Sequence, residues 1–241
     1  MWLLFPKPLH RTVQEAIWPA ARRLSRTSEV KACLPYSGYD ILFYINIKRY
    51  FHPERKIMLK HSGTHEIETE RLLLRHFSPE DIQDYFAWTG DPEVSRFNME
   101  KPYQTLEEAQ AALEQLIGNY SRPDFYMWGI VFENELIGFC CGNEINEDIR
   151  SICIGYGLKK PYWNRGIATE AARAMIDYFF SIGFNRIFAY HNPLNPASGR
   201  VMRKSGMTFE GRIRGGSMLA GEICDCLQYS IIKDDWLKRK V

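Results

Sequence analysis

The fold class this sequence predicts is a mixed α/β sheet with helices packed on it, in one domain running from about residue 65 onward. Two observations carry the prediction. The apolar pattern switches repeatedly between a two-residue and a 3.6-residue period, which interleaves strands with helices. Helix-opening signals stand where those switches occur: Ser78-Pro79-Glu80-Asp81, Thr105-Leu106-Glu107-Glu108 and Asn195-Pro196. A third observation marks where the domain begins. Residues 1–60 carry 11 Lys+Arg against 4 Asp+Glu, whereas the remaining 181 carry 20 against 25.

The basic N-terminal segment reads differently from the rest. Its first apolar run is broken by Pro6 and Pro8, too soon for a signal peptide. Thr12-Val-Gln-Glu15 has the form of a capping box, but Pro19 interrupts the helix it would open. Residues 40–47, DILFYINI, are β-prone with no clear partner nearby. Met58 leads straight into organised sequence. Residues 1–57 are therefore expected to be a poorly ordered extension or no part of the native protein, and residues 66–236 to be the domain.

The domain's elements follow in order. Ile67–His76 reads as an opening strand. Ser78 caps a short helix with Ile82, Tyr85, Phe86 and Trp88 on one face, and Asp91-Pro92 opens another short turn. Behind Thr105, the residues Leu106, Ala109, Ala112, Leu113, Leu116 and Ile117 mark a buried stripe. Tyr126–Phe132, Leu136–Ile145 and Ser151–Leu158 then read as three strands joined by tight turns. Ile167–Ile182 is a long helix and Arg186–His191 a strand. Asn195-Pro196 opens a helix that Gly206 stops. Met207–Gly211 and Glu222–Ile232 close the chain as strands, with a hairpin at 212–222. There is no internal repeat.

Composition excludes several classes. With 45% hydrophobic and 25% charged residues the chain is ordinary for a globular protein long enough to bury a sizeable core. A formal net charge of +2 argues against a nucleic-acid partner. No apolar run approaches the ~20 residues that span a bilayer, so no membrane partner is expected. Six cysteines without a C-x-x-C pair, and no His at ligand spacing, read as buried thiols in a reducing, cytoplasmic setting with no metal.

The most informative stretch is PYWNRGIATEA, residues 161–171. A strand gives way through a single glycine to a strong helix. The first N–H groups of such a helix have no internal partner, and the macrodipole adds partial positive charge. Gly166 lets backbone approach a ligand, and Arg165 adds a full charge. That is the recipe for a phosphate or pyrophosphate cradle, although it is neither a P-loop nor a dinucleotide fingerprint. On these residues alone, an ordinary strand-to-helix turn stays open.

The stretch W-N-R-G-I-A resembles the acetyl-CoA pyrophosphate turn of the GNAT superfamily, [QR]-x-x-G-x-[GA]. Residues 195–211, NPASGRVMRKSGMTFEG, resemble that family's second signature, with Met207 in place of the usual Phe. Residues 68–81, ETERLLLRHFSPED, resemble the opening of the Rim-type branch, which includes the ribosomal-protein N-terminal acetyltransferases. The resemblance implies a GNAT fold: a mixed, mostly antiparallel central sheet splayed between two strands, with helices on both faces. It implies acetyl-CoA as co-substrate. Tyr156, Gly157 and Leu158 would pair with the pantetheine arm, with Gly155 and Gly157 allowing close approach. The N–H groups of Asn164, Arg165, Gly166, Ile167, Ala168 and Thr169 would hold the pyrophosphate. Asn195 would contact the pantetheine or the backbone near it, and Arg200, Arg203 and Lys204 are candidates for the adenosine phosphate.

Acetyl transfer to an amine needs a neutral nucleophile, a base and a way to quench the leaving thiolate. A protein α-amine, with pKa ~8, needs less help than a lysine at ~10.4. Glu144, at the end of a strand beside the implied cleft, is the first base candidate and Asp225 the second. Rim-type members often carry Glu in the strand before the turn, where this chain has Cys153. The Tyr that many GNAT enzymes carry on the second signature helix is Met202 here. Ser198, one turn earlier, stands where the Rim branch has a serine near the sulfur, and its role would be a hydrogen bond to the developing thiolate. A Cys153 nucleophile is disfavoured, since an apolar strand raises a thiol's pKa. The leading expectation is transfer to a protein N-terminus by direct attack in a ternary complex. A small amine acceptor (polyamine, antibiotic or amino-acid derivative) and a non-catalytic acetyl-CoA sensor are the alternatives. A homodimer through strands or helices is allowed for.

Overall fold

The computed structural model describes residues 30–36, 39–45, 59–97, 101–219 and 221–239. The chain divides into two compact units at Ile57/Met58. In the first, β1 (Val30–Tyr36) and β2 (Tyr39–Ile45) pair antiparallel from Val30↔Ile45 to Tyr36↔Tyr39. The β-prone run thus has a partner immediately before it. The rest of the expectation for residues 1–57 lies outside the described residues.

In the second unit, period-two alternation builds one eight-stranded sheet. Its strands are β3 (Ile67–Glu68), β4 (Leu72–Arg75), β5 (Tyr126–Phe132), β6 (Glu135–Asn146), β7 (Ser151–Leu158), β8 (Arg186–His191), β9 (Thr208–Leu219) and β10 (Glu222–Ile232). The order is β3-β4-β5-β6-β7-β8-β10-β9. Every pair is antiparallel except β7–β8. A parallel neighbour requires a crossover, and α4 (Ile167–Ser181) supplies it. The helices α1 (Ile82–Thr89), α2 (Pro92–Ser95) and α3 (Leu106–Gly118) precede the central strands, while α5 (Pro196–Lys204) and α6 (Lys233–Arg239) follow β8 and β10.

Two clusters of buried side chains lie on the sheet. In the larger, α4 presents Ala171, Met175, Phe179 and Phe180 to Trp128, Ile130, Ile137 and Ile152. In the smaller, Trp88 of α1 and Leu113 of α3 meet Phe77 and Leu136. Fully burying each such large side chain stabilises the fold by about 1.5–3 kcal/mol. Helices therefore cover both faces, as a mixed sheet with apolar residues on both sides requires.

Three boundaries differ from the sequence expectation. The opening strand is split: the Thr69 N–H donates to the Leu72 carbonyl at 2.9 Å, so Thr69–Arg71 is a turn between β3 and β4. The hairpin at 212–222 is strand for most of its length, because β9 pairs with β10 as far as Leu219↔Glu222. The domain also starts before residue 66. Leu59 and Thr64 are buried, Thr64 Oγ1 donates to the Phe125 carbonyl and accepts from Met127 N–H, and the Trp128 indole donates to the His65 carbonyl. The His61 ring joins the buried Tyr126 hydroxyl (2.7 Å) to Glu147 (2.6 Å). Residues 61–65 thus bond the Met127 N–H and the Tyr126 and Trp128 side chains of β5.

Candidate active site

The sheet opens where β7 leaves β8. These two strands pair only at Ser151↔Arg186, Ile152↔Ile187 and Cys153↔Phe188. On its other side β7 stays paired with β6 from Cys153 to Leu158, and β8 stays paired with β10 as far as His191. Ile154–Leu158 thus keep one edge without a strand partner. A cleft of about 820 Å³ opens there. Tyr156, Gly157, Leu158, Asn164, Gly166, Ile167, Ala168, Thr169, Asn195, Ser198, Arg200 and Lys204 line it. The structure therefore brings together nearly every cofactor residue that the sequence nominated. Gly157 is small for a further reason: a Cβ there would lie 2.6 Å from the Phe139 ring on β6.

The turn at the mouth of the cleft has a defined backbone. Asn164 (φ +58°) and Gly166 (φ +80°) are both left-handed. Only glycine adopts that region freely, and space is not the issue at Gly166, whose nearest would-be Cβ neighbour is 3.6 Å away. The Trp163 indole donates to the Leu158 carbonyl at 2.8 Å, folding the turn back on the strand end. The Gly166 carbonyl accepts from the N–H groups of Thr169 and Glu170, both at 3.1 Å. The Thr169 N–H is thus engaged by the helix, in contrast to the expectation for it. The N–H groups of Ile167 and Ala168 precede the first intrahelical bond of a 15-residue helix. Arg165 also departs from expectation: its guanidinium lies over the rings of Phe132 (5.0 Å) and Tyr162 (5.3 Å) and does not line the cleft.

Across the cleft, Asn195 caps α5 by accepting from the Ser198 N–H at 3.3 Å. The Ser198 hydroxyl is left for another partner, the hydroxyl of Tyr156 at 3.1 Å. That phenol also lies 3.1 Å from the Ser198 carbonyl oxygen, to which it can donate. Burial pushes the Tyr156 hydroxyl well above the usual tyrosine range, although the bond to Ser198 opposes it. A neutral O–H pair is therefore held at the open strand edge.

Glu144 sits in a bulge of β6, with φ +49°, where the register with β7 slips between Asn143 and Asn146. Bulges re-aim side chains, and this one turns the Glu144 carboxylate to the Tyr190 hydroxyl at 2.6 Å. Tyr190 lines the cleft at the end of β8. Burial, then the bond to Glu144, holds its hydroxyl protonated well above the usual range. Asp225 is not brought to the cleft. The bulge of β9 wraps its carboxylate, which accepts from the Gly215 N–H (2.9 Å) and Arg212 (2.7 Å), and these two partners lower its pKa. Cys153 lines the cleft, but burial raises its thiol well above the usual range, with Glu144 adding to the shift. It is no activated nucleophile.

A family model described as an acetyltransferase (GNAT) domain matches residues 71–208, more than half of the chain. The chain belongs to the GNAT family. The uncharacterized N-acetyltransferase YoaA of Bacillus subtilis is 31% identical over 170 residues, covering 69% of this chain and 96% of the relative. A GNAT acetyltransferase from Bacillus anthracis of known structure is 28% identical with a TM-score of 0.63, covering 70% of this chain and 99% of that one. RimL, a ribosomal L7/L12 α-N-protein acetyltransferase solved with coenzyme A, shares the fold at 22% identity with a TM-score of 0.64, covering 71% and 99%. The fold class and the assignment as an N-acetyltransferase stand on these matches, and the likeness to RimL is one of fold.

The GNAT domain's cleft continues past the splayed strands to a second end. Tyr85, Trp88, Arg96, Phe97, Lys101 and Tyr103 line it, together with Ser217, Met218 and Leu219 of β9. The early aromatics serve twice, since Trp88 is fully buried in the smaller cluster yet walls the cleft. Sequence reasoning missed two side chains of the GNAT site. Tyr190 was legible from alternation: Ile187, Ala189 and His191 are buried, so Phe188 and Tyr190 share the other face. The Tyr156 hydroxyl was hidden because its partner is 42 residues away. No helix of the described residues is long and apolar enough to cross a membrane, and no three metal-ligating side chains cluster among them.

Proposed function

We propose that this GNAT enzyme transfers the acetyl group of acetyl-CoA to the α-amine of a protein N-terminus, by direct attack in a ternary complex. The parting of β7 from β8 after Cys153 carries the reading, because it leaves a strand edge for an amide-bearing arm between two hydroxyl-bearing walls. The arm pairs with the free edge of Ile154–Leu158, and the pyrophosphate rests on the N–H groups of Ile167 and Ala168. Arg200 and Lys204 stand at the cleft's rim for the remaining phosphate.

The acceptor nitrogen attacks the thioester carbonyl carbon; a C–N bond forms and the C–S bond breaks. The amine's departing proton goes to Glu144, directly or through water, with Tyr190 orienting the carboxylate. The thiolate takes a hydrogen bond from Ser198, whose hydroxyl the Tyr156 phenol holds in place. An α-amine with pKa ~8 is partly neutral at pH 7, so one exposed carboxylate is sufficient help.

The acceptor end supports a peptide over a polycation. Its charged side chains among the described residues are Arg96, Lys101 and Glu93, and Glu93 is already paired with Lys160 at 2.5 Å. Among the described residues, a polyamine would meet two cations and no unpaired carboxylate there. The test is mass spectrometry of a lysine-containing peptide after incubation with the full chain and acetyl-CoA. Acetyl on the α-amine alone supports the reading. Acetyl on lysine alone, or only on small amines, overturns it.

A further inference from the structure

The turn that is read as the pyrophosphate cradle is braced from outside the cleft by the β3–β4 turn. Glu170 lies in the first turn of α4, close to N–H groups that are meant for an anion. A free carboxylate there would compete with that anion and repel it. It is not free. Thr69 Oγ1 and the Arg71 N–H donate to its Oε1 at 2.6 and 2.9 Å. Arg71 Nε and Nη2 meet its Oε2 at 2.7 and 2.6 Å. Both oxygens are therefore bound, and neither Glu170 nor its partners Thr69 and Arg71 line the cleft. Burial alone would raise the Glu170 pKa, but Thr69 and Arg71 outweigh it and lower it.

Arg71 makes one more contact. Its Nη1 donates to the Arg165 carbonyl at 3.2 Å, between the two left-handed residues of the turn. In a planar trans peptide the C=O of one residue and the N–H of the next point in opposite directions. Holding the Arg165 oxygen outward therefore aims the Gly166 N–H inward, and Gly166 lines the cleft. We propose that Arg71, locked by Glu170 and Thr69, is the positioning residue of this turn: it orients the Gly166 N–H and neutralises the Glu170 carboxylate, so that the turn binds the pyrophosphate of the acyl donor. The inference rests on the acetyl-CoA reading above. It adds a residue from the opening segment 68–81, in a strand turn 94 positions before the turn it braces and outside the two signatures that line the cleft.

The test separates ground-state binding of the pyrophosphate from folding and chemistry. Arg71→Met in the full chain is measured for CoA affinity by calorimetry, and for turnover with acetyl-CoA and with S-acetylpantetheine, which has no pyrophosphate. The expected result is a Kd for CoA and a KM for acetyl-CoA raised ~10-fold or more, since all three contacts of the guanidinium are lost. The KM for the acceptor and the rate with S-acetylpantetheine should change less than threefold. Equal losses with both donors, or an unchanged Kd for CoA, would overturn the proposal. If Arg71→Met does not fold, Thr69→Val decides, with a rise of ~2–3-fold in Kd for CoA expected from the lost bond to Glu170 and no rise contradicting the brace. Wild-type chain that binds no CoA would instead sink the acetyl-CoA reading itself.

Discussion

The two ends of the cleft are built from different materials. The end assigned to the acyl donor is made of backbone: a strand edge left open at Ile154–Leu158, two left-handed residues, and the first N–H groups of α4. The acceptor end is made of side chains from α1, the segment after α2 and the tip of the β9–β10 hairpin. A backbone site recognises what all CoA thioesters share, and it tolerates little change in sequence. A side-chain wall can be exchanged residue by residue without disturbing the sheet. The difference explains why one fold could serve many amines with one donor.

Substitutions that act on one end only will sharpen or break this division. The largest effect is expected at the candidate base, which reaches the cleft through its bond to Tyr190. Glu144→Gln keeps the bulge and the bond to Tyr190 but removes the base, and kcat should fall ~100-fold with Kd for CoA unchanged. Next, Gly166→Val forces a β-branched residue into a left-handed turn at a cost of about 1–2 kcal/mol or more. The Kd for CoA should rise ~10–30-fold while the acceptor KM stays constant. A rise in both would mean that the ends are not independent. Ser198→Ala should lower kcat ~10–100-fold with CoA still bound, and unchanged turnover would remove Ser198 from the chemistry. At the acceptor wall, Arg96→Glu should change the preference between peptides with acidic and basic second residues by only ~3–5-fold, because exposed charges are screened.

The smallest effect is one of stability. His191 is buried between Gly199 and Tyr229, and burial lowers its pKa below 6.5, with Arg203 acting in the same direction. The folded state thus prefers the neutral ring, and its stabilising contribution is lost as pH falls through 6.5. The Tm should decline between pH 7 and 5.5, and His191→Asn should flatten that slope whatever it does to the Tm itself. On the alkaline side, Tyr156 and Tyr190 stay protonated above the usual tyrosine range. The rate should therefore rise as the amine deprotonates and show no descending limb below pH ~10.

The same contrast sets what the sequence could reveal. Backbone devices leave local signatures: Gly166 before a helix former, Asn195-Pro196 at a helix start, alternation in β5 and β8. Those were legible, whereas the open strand edge was expected only from the family resemblance. Long-range pairings leave none. Nothing near Asp225 announced that the β9 bulge would claim it, and nothing near Glu170 announced Arg71. The bulge that turns Glu144 toward Tyr190 depends on a register slip against β7, which no window of sequence contains. Residues 59–65 read as the lead-in to the domain, and only the long-range bonds of Thr64 and His65 to Met127 and Trp128 show that they pack on β5.

The most direct test of the central claim is a competition in one vessel. The full chain, acetyl-CoA, a peptide with a free α-amine and spermidine are mixed at equal acceptor concentrations, and both products are quantified by mass spectrometry. The account expects the peptide α-amine to take at least ~10 times more acetyl than spermidine, as an end walled by Arg96 and Lys101 implies. Preferential acetylation of spermidine would contradict it.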